Sequence, residues 1–321
     1  MEQALYGPDG FYTRGGLAGR RGDFLTAPEV GPLFGAVLAR FLDAEWQRLG
    51  RASPFTVVDV GAGPGTLARS IVAAAPECRA ALRYIAVEVA DVQRRSHPAG
   101  VESRADLPTE SIVGVVIANE LLDNLPFRLA VFDGAWREAY VSSAADGALT
   151  EVLSAPFDPV PDVLPATPPL GARAPLIDAA RSWLDGARRL VRSGSVIAFD
   201  YTVDTTSELA LRQWREWLRT YRRHERGGHY LAAPGEQDIT TDVPLDQLPA
   251  PDERWTQADF LRQWSITELV DEGQRAWAAG AAQPDLDALA MRSRTREAEA
   301  LLDPTGLGAH TVAIWRAPAG A

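Results

Sequence analysis

Val57-Val58-Asp59-Val60-Gly61-Ala62-Gly63-Pro64-Gly65-Thr66 runs from a β-branched stretch into three glycines separated by single residues. The helical pattern Leu67-Ala68-Arg69-Ser70-Ile71-Val72 follows at once. Strand, glycine-rich turn and helix together make a nucleotide-binding corner, because glycine permits close backbone approach and φ values that other residues avoid. The spacing narrows the ligand. A dinucleotide fingerprint, G-x-G-x-x-G, wants Gly or Ala at position 66, where this chain has Thr66. A phosphate-binding P-loop needs Gly-Lys-Ser/Thr, and the chain contains no lysine. Gly61, Ala62, Gly63 and Gly65 after the acidic strand residue Asp59 fit S-adenosylmethionine (SAM), whose amino-acid end packs where a dinucleotide places its pyrophosphate.

Outward from this corner, apolar runs predict strands over 55–60, 83–88, 112–118 and 195–201, with helices over 66–75 and 175–191. Such alternation implies an α/β fold built on a doubly wound, mostly parallel sheet. Ligands of these sheets lie at the carboxyl ends of the strands. Asp59, Gly61–Gly65, Glu88, Asn119, Glu120 and Asp200 all fall there. Before the core, Leu33, Phe34, Val37, Leu38, Phe41, Leu42 and Trp46 recur at helical spacing over 30–49. Asp133-Gly134 between 127–132 and 136–142 is a hairpin signal. Residues 155–175 read as a proline-rich loop, 209–221 as a helix burying Trp214 and Trp217, and 234–251 as irregular. Helices are expected over 257–264 and 286–302, with a last strand at 311–315 rejoining the sheet. The domain reading is an N-terminal helical and lid segment (1–50), a cofactor-binding core (51–205) with a hairpin insertion near 127–153, and a C-terminal helical, substrate-covering region (206–321).

Three elements carry the candidate chemistry. Glu88 ends the second strand 23 residues after Gly65, where a carboxylate can accept both ribose hydroxyls. Asn119-Glu120-Leu121-Leu122-Asp123-Asn124-Leu125-Pro126 puts polar groups straight after a buried strand. If this segment turns helically, Glu120 and Asp123 share a face and can hold a guanidinium in bidentate fashion. The alternative is that Asn119 and Asp123 cap a helix. Gly22-Asp23-Phe24-Leu25-Thr26-Ala27-Pro28-Glu29 reads either as a lid facing substrate or cofactor, or as a helix start capped by Thr26 or Glu29. His224 could act as a general base, or serve only as a structural hydrogen-bonding group.

The 321 residues, 46% hydrophobic, suffice for a substantial core. No apolar run approaches the roughly 20 residues of a membrane span, and no signal peptide is expected. A net charge of −11 disfavours nucleic acid as a partner. Arg219, Arg222, Arg223 and Arg226 could make a locally basic face, though a solvated helix is the plainer reading. One cysteine, Cys78, excludes an internal disulfide and fits a cytoplasmic location. Four scattered histidines give no metal-ligand spacing.

Taken in order, Leu5-Tyr6, Gly10-Phe11-Tyr12, Gly22-Asp23-Phe24, Thr26-Ala27-Pro28-Glu29, Val58–Thr66, Val87-Glu88, Asn119–Pro126, Trp136-Arg137-Glu138, Tyr221–His224, Pro234-Gly235-Glu236-Gln237-Asp238-Ile239-Thr240 and Leu301–Gly308 resemble the MidA-like SAM-dependent methyltransferases. The resemblance covers nearly the whole chain. It implies a class I methyltransferase fold with an N-terminal helical layer and a C-terminal elaboration. It further implies SAM as cofactor and methyl transfer to a protein arginine, since mitochondrial members assist assembly of respiratory complex I in that way. A subunit of a respiratory complex is the partner this suggests. The family's Ser-Pro after the second-strand Glu stands here as Ala90-Asp91, and its members usually carry a helical segment before the position where this chain starts. On this reading SAM lies across Gly61–Gly65 with its ribose on Glu88, while Glu120 and Asp123, with Asn119, Glu29 or Asp23, orient the guanidinium. Three other functions remain open: a small-molecule O- or N-methyltransferase, a non-enzymatic assembly protein with a vestigial corner, and an NAD-dependent oxidoreductase, which Thr66 disfavours.

Overall fold

The computed structural model describes residues 1–15, 26–145, 147–222, 225–280 and 286–317. They form two compact units. One gathers the described residues of Met1–Gly16, Glu120–Gly186 and Asp200–Ala250, the other those of Leu17–Asn119, Ala187–Phe199 and Pro251–Ala321.

The second unit holds a seven-stranded sheet. Strands β1 (Phe55–Val60), β2 (Leu82–Val87), β3 (Glu102–Arg104) and β4 (Ile112–Asn119) come first in the chain. The spatial order is Glu253–Thr256, Thr311–Ala317, Val191–Asp200, β4, β1, β2, β3. The pairs β1–β2, β1–β4, β2–β3 and β4 with Val191–Asp200 are parallel. Successive strands run outward from β1 on one side, then the order reverses to β4 on the other. That reversal marks the point where such sheets bind ligands. Every residue of β1 is buried, as expected for a parallel strand covered on both faces.

Across the sheet, Thr56, Gly114 and Gly194 lie side by side. Gly114 has φ +149° and Gly194 φ +134°. A Cβ on Gly114 would stand 1.9 Å from the Thr56 carbonyl oxygen, and one on Gly194 would stand 1.8 Å from that of Gly114. Only hydrogen fits at either position.

The helix predicted over 30–49 is divided at Gly31 into Ala27–Val30 and Pro32–Arg48. Pro32 supplies no N–H for a continuous helix and restricts the residue before it, but it suits the first helical position. The new N-terminus is capped from far along the chain: Leu33 N donates to Glu297 Oε2 at 2.8 Å. Leu33, Phe34, Val37, Leu38, Phe41 and Leu42 then form the core, with Phe34 edge-on to Phe199 and Phe41 to Phe260.

The helix Leu286–Leu302 and the strand Thr311–Ala317 lie where the periodicity puts them. The helix Ile266–Gly280 and the strand Glu253–Thr256 were not expected. Among the described residues no helix is long and apolar enough to cross a membrane.

The first unit carries an antiparallel sheet in the order Leu149–Pro156, Trp136–Ser143, Arg128–Phe132, Arg173–Leu176. The Asp133-Gly134 hairpin is present, with Phe132 opposite Trp136. In place of one helix over 175–191 there is an edge strand, Arg173–Leu176, and a helix, Asp178–Leu190. An edge strand tolerates Pro175, whose carbonyl accepts from Gln247 Nε2 at 2.8 Å. The helix predicted over 209–221 is likewise corrected. Short helices Thr206–Leu211 and Trp214–Trp217 give way to the strand Leu218–Arg222. That strand pairs antiparallel with Asp238–Thr241, inside the stretch read as irregular. Trp217 is fully buried as expected, whereas Trp214 is only half-buried.

Candidate active site

In the unit with the parallel sheet, the chain leaves β1 through a turn in which Gly61, Gly63 and Gly65 have φ of +72°, +53° and +80°. Gly65 is the N-cap residue of the helix Thr66–Ala73. The amides of Gly61 and Ala62 both donate to Val87 O, at 2.9 and 3.1 Å, which binds the turn to the end of β2. Glu88 completes the clamp. Its Oε2 accepts from Gly63 N at 3.0 Å and its Oε1 from Ala90 N at 2.8 Å. Burial raises the pKa of Glu88, and the two amides oppose that rise. A carboxylate offers about four lone-pair positions, so two remain for a diol.

Asp59 stands next to last in β1, just before the turn. It is buried, and its Oδ2 accepts from Tyr84 OH at 3.0 Å. Burial pushes its pKa up to about 7, against the Tyr84 bond and with help from the Glu88 charge. Between its ordinary 3.8 and about 7, the folded chain holds a proton that the unfolded chain has released. Stability therefore falls as pH rises through that window and stays low above it. Asp59→Asn should raise the melting temperature at pH 8, by an amount reflecting on the order of 4 kcal/mol or less, and change it little at pH 4. Thermal unfolding of both proteins at the two pH values tests this. A substitution effect equal at both would show that Asp59 is not held protonated.

The corner fits SAM by the acceptor capacity of Glu88 and by its left-handed glycine turn. The left-handed glycines at 61, 63 and 65 carry no side chains, so at three of its five positions the turn presents bare backbone. Glu88 faces it with unused lone pairs. His97 binds Gly63 O through Nε2 at 2.9 Å, and its buried Nδ1 has no partner among the described residues. Sequence reasoning missed His97, which no local pattern marks. Asn119 ends β4, the neighbour of β1, and so shares the carboxyl edge with Asp59 and the glycines. Glu29 lies half-buried in Ala27–Val30, and its N donates to Thr26 O at 3.0 Å. Thr26 occupies the N-cap position but makes no side-chain cap bond. Asp23 and His224 lie outside the described residues.

In the other unit, residues 120–126 form a turn rather than a helix. Neither the shared helical face of Glu120 and Asp123 nor the helix-capping alternative is realised. Glu120 instead takes φ +48°, a left-handed backbone that costs a non-glycine residue about 1 kcal/mol or more. The turn is held from several sides. Asp200 Oδ2 accepts from Leu122 N and its Oδ1 from Tyr201 N, both at 2.9 Å. Thr240 Oγ1 donates to Asp123 Oδ2 at 2.7 Å, and Thr241 N donates to Asp123 O at 3.1 Å. With its amide nitrogen turned to the acceptors, Asn124 donates to Glu120 O at 3.0 Å and to Asp123 Oδ1 at 3.2 Å. Tyr12 OH donates to Asp238 Oδ1 at 2.7 Å.

Asp123 and Asp200 are therefore enclosed, 4% and 1% exposed, with their oxygens engaged inside the protein. Burial pushes Asp123 up to about 6, the Thr240 bond and the Arg219 charge opposing it. Burial, then the Asp123 charge, raises Asp200 well above the carboxylate range. Asp242 is also buried and pairs with Arg219 at 2.8 Å. Glu120 is half-buried and so keeps a solvent-facing part. Its neighbour through one peptide bond is Asn119. Among the described residues no cluster of His, Cys, Asp and Glu suits a metal ion.

Residues 37–261 match the family model described as S-adenosyl-L-methionine-dependent methyltransferase. The chain belongs to this family. A mitochondrial protein arginine methyltransferase NDUFAF7 homolog of Drosophila melanogaster is 28% identical over 76% of this chain and 63% of its own length. Human NDUFAF7, a mitochondrial protein arginine methyltransferase, is 36% identical over 22% of the chain and 16% of its own length. The chain thus spans less than two thirds of these curated relatives. A crystal structure of a COG1565 superfamily member from Burkholderia thailandensis, bound to S-adenosyl-homocysteine, aligns with all of this chain and 87% of its own. It does so at TM-score 0.80 and 24% identity, which establishes the class I fold. A native structure of a COG1565 superfamily protein from the same organism gives 0.79 and 25% over 100% and 86%.

Proposed function

We propose that the chain transfers a methyl group from SAM to an arginine side chain of a protein. The observation that carries the choice of acceptor is Glu120, a half-buried acidic residue held at φ +48° on a clamped turn. A guanidinium pairs with a carboxylate through two parallel hydrogen bonds. The arginine methyltransferase names of the curated relatives support the same reading.

Gly61, Ala62, Gly63, Gly65 and Glu88, with Asn119, would hold SAM, which when bound supplies an electrophilic methyl. The work of this chain's own residues is positional. Glu120 takes the guanidinium on its carboxylate and aims one nitrogen, and the clamped backbone turn fixes that carboxylate before substrate arrives. Arginine stays protonated at neutral pH. Its nitrogen must therefore shed a proton as the new N–C bond forms, and a Glu120 oxygen receives it. Asp123 and Asp200 act as positioning residues, because their oxygens are engaged within the turn.

A cavity of about 420 Å³ in the same unit, walled by Phe127, Leu129, Ala139, Val141 and Leu149, favours a second reading, a small apolar methyl acceptor. One experiment separates the two. The chain is incubated with methyl-labelled SAM and a cell extract, and the protein fraction is hydrolysed to amino acids. Label in methylarginine is the expected result. Label confined to the small-molecule fraction would replace the arginine reading with the second one.

A further inference from the structure

Among the described residues the two most exposed large hydrophobic side chains, Leu170 (78%) and Leu211 (66%), line the same surface notch of about 300 Å³. Its charged and aromatic wall residues are three arginines and a tryptophan. Arg173, Arg212, Trp214 and Arg215 all border it, and no carboxylate does. In a chain with 43 acidic and 32 basic residues, one of these arginines, Arg215, is left without a carboxylate partner among the described residues.

The basic groups are fixed in place. Arg173 lies 5.2 Å from the Trp214 ring centre and Arg215 4.3 Å from it. Arg173 is tied to Glu151 at 2.6 Å, and Arg212 to Asp242 at 3.1 Å and Glu216 at 3.5 Å. Arg215 has the ring alone and, among the described residues, no carboxylate partner. Its carbonyl accepts from the Arg226 guanidinium. Burial, then the Arg215 charge, holds nearby His229 below its ordinary pKa, consistent with a positive local field.

We infer that this notch is a docking site for an acidic segment of a partner polypeptide. An apolar side chain of the partner sits between Leu170 and Leu211, and flanking carboxylates pair with Arg215 and the notch-facing edges of Arg212 and Arg173. Trp and Arg are the residues that concentrate binding energy at interfaces, and exposed leucines beside them supply the apolar contact. A bare phosphate would leave both leucines unused. A nucleic acid would face the net charge of −11 over the rest of the surface. The inference is independent of the methyl acceptor, since none of these six residues belongs to the cofactor corner or the Glu120 turn.

The test uses the full chain and three fluorescein-labelled probes: a peptide of alternating glutamate and leucine, its lysine–leucine counterpart, and a short oligothymidylate. Anisotropy should show the acidic peptide binding with a dissociation constant of about 10–100 μM and weakening several-fold as salt rises from 50 to 500 mM. Arg215→Glu should weaken it about tenfold or more, and Leu211→Ser about three- to tenfold. SAM affinity of both variants, measured by calorimetry, should match the parent and so report an intact fold. Four outcomes would overturn the inference: no binding of the acidic peptide, equal binding of the lysine peptide, tighter binding of the oligothymidylate, or unchanged binding by Arg215→Glu.

Discussion

Gly63→Val is expected to weaken binding of SAM and of S-adenosyl-homocysteine by about 100-fold or more, roughly 3 kcal/mol. The backbone at Gly63 has φ +53°, where a β-branched residue is a steric outlier. Its Cβ would also stand 3.2 Å from Gln93 Oε1, so the neighbour must give way. Strain alone would cost stability. The loss of binding comes from the amide of Gly63, which is what Glu88 holds. Moving that amide frees the carboxylate and displaces the turn that would cradle the cofactor. Gly63→Ala carries the same φ penalty without branching and should lose less. Calorimetry on the parent and both variants gives the ranking, with circular dichroism to confirm folding. A folded valine variant that binds within about threefold of the parent would show that the ligand does not rest on this turn.

Glu120→Gln should lower kcat/KM by about 10²- to 10³-fold, near 3–4 kcal/mol of transition-state stabilisation, with SAM affinity unchanged within about twofold. Glutamine keeps the shape and the left-handed backbone. On the proposed reading, it loses the charge that would pair with a guanidinium and the base that would take its proton. A second substitution gives the opposite sign on stability. Glu120→Gly removes the cost of φ +48° and should stabilise the protein by about 0.5–1 kcal/mol while leaving it inactive. A residue that harms stability where it stands and whose removal harms activity is held there for function. Equal losses of turnover and SAM affinity in Glu120→Gln would remove it from the acceptor-orienting role.

Much of this was legible in local sequence. The turn 61–65, Glu88, and the helix Leu286–Leu302 follow from glycine spacing, strand length and helical period, all set by residues near in the chain. What escaped depends on distant partners. The start of the helix Pro32–Arg48 is capped from a distance, by a Glu297 carboxylate that accepts from Leu33 N. Leu218–Arg222 is polar enough for a surface helix and becomes a strand through pairing with Asp238–Thr241. The Glu120 conformation has no local signal either, since glutamate carries no preference for positive φ. It follows from the bonds of Asp200, Asn124 and Thr240, assembled from three separate stretches.

The glycine row across the middle of the parallel sheet works as a key for strand alignment. Hydrogen at Gly114 admits the Thr56 carbonyl, and hydrogen at Gly194 admits that of Gly114. A residue with a side chain could replace either glycine only with a shift of the neighbouring backbone, so the pair disfavours alignments that the long aliphatic runs would otherwise accept. The glycine turn and Asn119 owe part of their placement at the carboxyl edge to two absent methyl groups deep in the sheet.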